Sequence, residues 1–126
     1  EHPINNLQQV VSVHDLLAAQ QAIRHIYVSD YIKQYIVDIA NATRRHPDVY
    51  IGCSPRGSLG LFRTAQARAA MARRDHVIPD DVKALAEVTL AHRIIVRPQA
   101  RVNDISSRTI VQDVLATTPV PGASAR

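Results

Sequence analysis

Tryptophan is absent from this chain, phenylalanine occurs once and tyrosine four times, so aromatic residues fill only 4% of its 126 positions. Any packed interior must therefore be built from Leu, Ile, Val and Ala, and a surface that stacks nucleic-acid bases has few rings to draw on. The single cysteine, Cys53, excludes an internal disulfide framework and gives no sign of secretion. No apolar run approaches the roughly 20 residues needed to cross a bilayer, and the start lacks the charged, apolar and small-residue succession of a signal peptide. The cytoplasm is the expected location. The chain also lacks a glycine-rich phosphate loop and a strand ending in paired acidic residues that would hold magnesium. Its six histidines, at positions 2, 14, 25, 46, 76 and 92, never fall at the one-turn spacing that lets two of them grip a metal from one helix. Neither a metal site nor catalysis by this chain alone is expected.

What is present suits one folded domain. Hydrophobic residues make up 46% of the chain, enough for a core, and the formal charge of +4 permits anionic partners without requiring them. The chain starts at Glu1 and its only methionine is Met71, so a fragment of a longer protein is expected.

The periodicity predicts four to five helices in an all-α bundle, with at most a minimal two-stranded pairing. Residues 1–11, with Pro3 and two asparagines, read as an extended leading segment. Ser12, with Asp15 three positions on, starts a first helix carrying Leu16, Leu17, Ala19, Ile23 and Ile26 at near-helical spacing. Tyr27-Val28 is β-prone and reads as a short link that could pair with Val77-Ile78. Ser29 starts a second helix with Ile32, Tyr35, Ile36, Ile39 and Ala40 on one face, ending at Arg44-Arg45-His46 before Pro47. Positions 46–53 read as a loop. Ser54-Pro55 is the sharpest helix start, with Ser as cap and Pro in the first turn, and that helix is expected to reach Arg74. Pro79 opens a fourth helix with Val82, Leu85, Ala86, Thr89 and Leu90 buried, closed by Ile94-Ile95-Val96 and Pro98. After a polar link, Ser106 starts a short last helix through Leu115, and the residues from Thr117 onward are expected to fray. The expected domain layout is a leading segment at 1–11, a helical domain at 12–98 and a C-terminal extension at 99–126.

The stretch Gly52-Cys53-Ser54-Pro55-Arg56-Gly57 holds the most chemistry. Backbone N–H groups at a helix start favour anions, and a guanidinium suits bidentate phosphate contact. On a helical wheel Leu61, Phe62, Ala65, Ala69 and Ala72 gather on one side, while Arg56, Arg63 and Arg74 fall on the other. Arg56 thus points away from the apolar stripe, although arginines that merely solvate an exposed face fit the same pattern. Gly57, Ser58 and Gly60 would permit close approach by another surface. Cys53, near a helix start where a thiol pKa can fall, reads as a loop or core residue rather than a nucleophile.

These landmarks carry a resemblance. Tyr27-Val28-Ser29-Asp30, Ala42-Thr43-Arg44 with His46-Pro47-Asp48, Gly52 with Ser54-Pro55-Arg56-Gly57, Asp75 with Pro79-Asp80-Asp81-Val82-Lys83, and Leu90-Ala91-His92-Arg93 follow one another as in the C-terminal lid of MoxR-family AAA+ ATPases. The similarity covers Val10 to Pro98, and His2-Pro3 and Pro119-Val120-Pro121 resemble the family's domain junction and C-terminus. Ile78, where Thr often stands, and Gly57, where Ala is frequent, depart from the pattern.

The resemblance implies an all-α lid that closes over an αβ core holding ATP and magnesium, with no cofactor bound to the lid alone. It implies that Arg56 is the sensor-2 arginine, the catalytic assignment, approaching the γ-phosphate. Ser54, Pro55, Gly57 and Leu59 would shape the lid side of the nucleotide site, and Tyr27 and Val28 would either border the adenine or pack inside the lid. It further implies ATP hydrolysis by the full-length protein. The implied partners are the N-terminal αβ core of the same polypeptide, neighbouring subunits of a ring, commonly a hexamer, and von Willebrand factor A domain proteins in a chaperone-like role. On residues alone two other readings stay open, a basic helical nucleic-acid-binding module and a plain protein-interaction bundle. The absence of helix-turn-helix or zinc-finger spacing weighs against the first.

Overall fold

The computed structural model describes residues 2–122. After a 3-10 turn at Pro3–Asn6, the elements are α1 (Val13–Arg24), α2 (Asp30–Arg45), β1 (Val49–Ile51), α3 (Pro55–Met71), α4 (Pro79–Leu90), β2 (Ile95–Val96), α5 (Pro98–Val102) and α6 (Ser107–Thr117). The fold is a helical bundle, as the periodicity predicts, and it carries one small antiparallel strand pair, β1 with β2.

Helix α2 is the backbone of the core. Ser29 Oγ accepts from Ile32 N, and Ile32, Tyr35, Ile36, Ile39, Ala40 and Thr43 recur at three- and four-residue spacing and are buried. Pro47 disfavours helical geometry at His46, which is extended, so the helix stops at Arg45. Burying each of the isoleucines stabilises the fold by roughly 1.5–3 kcal/mol. Against this face lie Leu61, Ala65 and Ala69 of α3 and Ile110, Val111 and Val114 of α6, and Val82, Ala86 and Leu90 of α4 complete the core by packing on α3 and α6. The alanines let α3 and α4 approach closely. Residues 99–126, read as an extension, thus contribute α6 to the shared core.

Several local expectations are corrected. Residues 46–53 are not wholly loop, because Val49 pairs with Val96 and Ile51 with Ile95, so Tyr50 bulges outward. The proposed partners Tyr27-Val28 and Val77-Ile78 form only a single parallel bridge, Tyr27 with His76. The link after β2 contains the short helix α5. Thr118 is buried and Val120 packs against the core, so the tail does not fray from Thr117, and the expectation for 123–126 lies outside the described residues.

Helix α3 ends at Met71 rather than Arg74. Arg73 adopts a left-handed φ of 57°, Arg73 N donates to Ala70 O and Arg74 N to Ala69 O, both at 2.9 Å. This pair of bonds closes the helix and turns the chain, and the turn carries Arg74 off the α3 wheel.

Helix α1 is the outlier. Ser12 and Asp15 form the expected reciprocal cap, yet no residue of α1 is buried, and Leu16 and Leu17 are each more than half exposed. Its C-terminal end is held by buried Gln66, which donates to Ile26 O at 2.8 Å.

Candidate functional site

The start of α3 is built by contacts from α2 below and α4 beside it. At the end of α2, Thr43 is fully buried, and its hydroxyl donates to Ala40 O at 2.7 Å and accepts from Cys53 N at 2.9 Å. The next residue, Arg44, donates from Nε to Cys53 O at 2.7 Å and from a terminal nitrogen to Asn41 Oδ1 at 3.0 Å. Both polar groups of Cys53's backbone are therefore held by consecutive residues of one helix. Gly52 allows this approach, since a Cβ there would lie 2.6 Å from Arg44 Cα, where backbone cannot yield. In the sequence Arg44 stands out as one of the cations that end α2 and as part of the Ala42-Thr43-Arg44 landmark, not as an anchor of the segment before α3. The bond to Cys53 O depends on a contact nine residues away, which periodicity does not encode.

The Cys53 side chain is fully buried, and burial pushes its thiol pKa up despite the nearby charges of Arg44 and Arg93. It is a neutral packing group. A methyl group on Gly57 would collide with Cys53 Sγ and would crowd Leu90 Cδ2 at 3.3 Å and Arg93 Cδ at 3.4 Å. Gly60 likewise meets Thr89 of α4. The close approach expected from Gly57 and Gly60 is thus made by α4 and the turn after it, within the domain.

The outward side is different. Ser54 stands at the cap position but makes no side-chain cap bond, contrary to expectation, and Gly57 N instead donates to Ser54 O at 2.8 Å. Pro55 occupies the first turn. Ser54, Pro55, Arg56 and Leu59 are all exposed, whereas Gly57 is buried. Of the three arginines expected to share a face, Arg63 lies over the Phe62 ring at 5.6 Å and Arg74 is bound to Asp81. Arg56 enters none of the ion pairs formed among the described residues. An exposed, unpaired guanidinium beside the positive end of a 17-residue helix attracts an anion. Val28 packs inside the core and Tyr27 is exposed.

No group of three or more His, Cys, Asp or Glu among the described residues could hold a metal ion. The donor set at the start of α3 is cationic. It fits phosphate oxygens and not magnesium.

Comparison with known proteins supplies the family to which this helix start belongs. The model of the AAA lid domain family matches residues 41–114, from the end of α2 into α6. The chain belongs to the AAA lid domain family. The lid is 42% identical to YeaC of Bacillus subtilis, an uncharacterised protein, over 95% of the chain and 38% of that protein. It is 32% identical to chaperone MoxR1 of Mycobacterium tuberculosis, over 94% of the chain and 34% of that protein. A solved structure from Cytophaga hutchinsonii, provisionally described as an ATPase, superposes with a TM-score of 0.85 at 31% identity, covering 90% of the lid and 37% of that chain. The lid therefore spans little more than a third of each relative's length. Among the described residues, no helix is long and apolar enough to cross a membrane.

Proposed function

We propose that this lid supplies the sensor-2 arginine, Arg56, of a MoxR-type AAA+ ATPase, and that it acts in ATP binding and hydrolysis by the full-length protein. The observation that carries the reading is the presentation of Arg56: exposed, without an ion-pair partner among the described residues, and fixed at the start of the longest helix of a AAA lid. A mobile lid that brings one cation to developing phosphate charge stabilises the transition state and senses its loss after hydrolysis. Ser54, Pro55 and Leu59 share the exposed side of Arg56 and would meet the nucleotide with it, while Gly57 supports them from within. ATP and magnesium would be held by the αβ core, since the sequence has no phosphate loop and the described residues hold no metal-binding carboxylate cluster.

The reading also gives the bare apolar face of α1 an occupant. Leu16 and Leu17, with Val10, Val11 and Val13 before them, would rest against the αβ core of the same polypeptide. Assembly into a ring, commonly hexameric, chaperone-like remodelling with von Willebrand factor A domain partners, and a cytoplasmic setting complete the proposal.

The test is Arg56→Ala in the full-length protein. Turnover of ATP should fall by about two orders of magnitude, the usual effect of removing one transition-state donor, with the fold unchanged. Unchanged turnover and unchanged nucleotide affinity would remove Arg56 from the mechanism.

A further inference from the structure

Arg56 carries out its proposed role from a helix start that is not capped by Ser54, so something else must set its direction. Among the described residues, both backbone polar groups of Cys53, three positions before Arg56, are anchored from α2. Thr43 Oγ1 accepts from Cys53 N at 2.9 Å, Arg44 Nε donates to Cys53 O at 2.7 Å, and Gly52 brings the two backbones together. The anchoring groups are themselves held: Thr43 by Ala40 O at 2.7 Å, and Arg44 by Asn41 Oδ1 at 3.0 Å. Resting on the sensor reading of Arg56, we propose that Thr43 and Arg44 are positioning residues, a bracket at the end of α2 that fixes the Cys53 peptide and through it aims Arg56 at the nucleotide.

The physical case is one of leverage. The Cys53 peptide lies three residues before Arg56, with Pro55 stiffening the chain between them. Holding both the N–H and the C=O of one residue removes rotation about the chain there. Below Arg56, Gly57 is wedged against Cys53, Leu90 and Arg93, which stops α3 from sliding along α4. Loosening the bracket would leave helix α3 formed but its first turn free to swing. A misplacement of about 1 Å in a catalytic group costs up to about a hundredfold in rate.

Full-length protein with Thr43→Val, Thr43→Ser or Arg44→Met, each made with Arg56 intact and with Arg56→Ala, separates aiming from general support. Met retains the aliphatic stem that packs on Gly52, and Arg44 is exposed, so that variant keeps the fold even if Thr43→Val does not. With Arg56 present, Arg44→Met and Thr43→Val should lower kcat about tenfold with little change in KM, and Thr43→Ser should restore it. With Arg56→Ala, the same changes should cost less than about twofold, because there is no longer a guanidinium to aim. Equal losses in both backgrounds would overturn the proposal in favour of a purely structural role, as would full activity of Arg44→Met while Arg56→Ala is impaired. Should Arg56→Ala itself leave turnover intact, the sensor reading fails first and the bracket's purpose with it.

Discussion

Arg56 in the first turn of α3 and Arg74 in the turn that follows its last residue, Met71, are treated in opposite ways. They are separated by a helix about 25 Å long, so they cannot serve one ligand. At the C-terminal end, Arg74 donates two hydrogen bonds to Asp81, at 2.6 and 2.8 Å, and Arg68 approaches the same carboxylate at 3.5 Å. Asp81 is 2% exposed and also accepts from Ile78 N at 3.0 Å, which satisfies the N–H of the residue before α4. At the N-terminal end, Arg56 is exposed and enters no ion pair among the described residues. One guanidinium stitches α3 to α4, and the other is left available. Identical side chains at the start of a helix and in the turn beyond its end therefore carry different information, and the partner decides which is structural.

That contrast can be broken most severely at Asp81. Asp81→Asn removes the anion from a buried pair and should destabilise the chain by about 3 kcal/mol, read as a shift in the urea midpoint. The same group has a pH signature. Burial pushes the Asp81 carboxyl up, but hydrogen bonds from Arg74 and Ile78 N and the charges of Arg74 and Arg68 outweigh burial and hold its pKa below the ordinary carboxylate range. A depressed folded pKa means stability that is present above about pH 4 and lost as the pH falls through the folded value. Stability of the parent should therefore drop more steeply below about pH 4 than that of Asp81→Asn. Parallel pH profiles would show that the pair contributes nothing.

A smaller effect is expected at the other end. Gly57→Ala drives a methyl group into Cys53 Sγ and should cost about 2 kcal/mol through overpacking. Cys53→Ala in the same chain vacates that space, so the double variant should regain much of the loss, giving a coupling of about 1 kcal/mol or more in a double-mutant cycle. Strict additivity would mean that the first turn of α3 is not wedged there.

The ease with which sequence revealed this fold varied with how local the cause was. The α2 face, the Ser12–Asp15 cap and the Pro55 and Pro79 helix starts follow from spacing within one element and are present, and the α4 stripe is buried as expected except at Leu85, which is half-buried. The strand pair was not legible, because Val49–Ile51 and Ile95–Val96 are too short to show a period and meet across more than 40 positions. Nor was the end of α3, where Arg73 takes a conformation more usual for glycine. Helix α1 has a sound local pattern and no partner for it, since an apolar stripe reports that something will cover it without naming what. At the site, the outward presentation of Arg56 was readable from the wheel, but Arg74 was grouped with it wrongly. The anchors Thr43 and Arg44 depended on tertiary contact with Cys53.

The central claim is that Arg56 is held free of the fold in order to meet a triphosphate, and the most direct measurement is the melting midpoint of the full-length protein with and without ATP and magnesium. A ligand that binds only the native state raises that midpoint in proportion to its binding free energy. Arg56→Ala should melt within about 0.5 kcal/mol of the parent without nucleotide, as an exposed substitution does, and should lose a large part of the rise that ATP confers. A nucleotide-free protein strongly destabilised by Arg56→Ala, or an undiminished rise with ATP, would contradict the account.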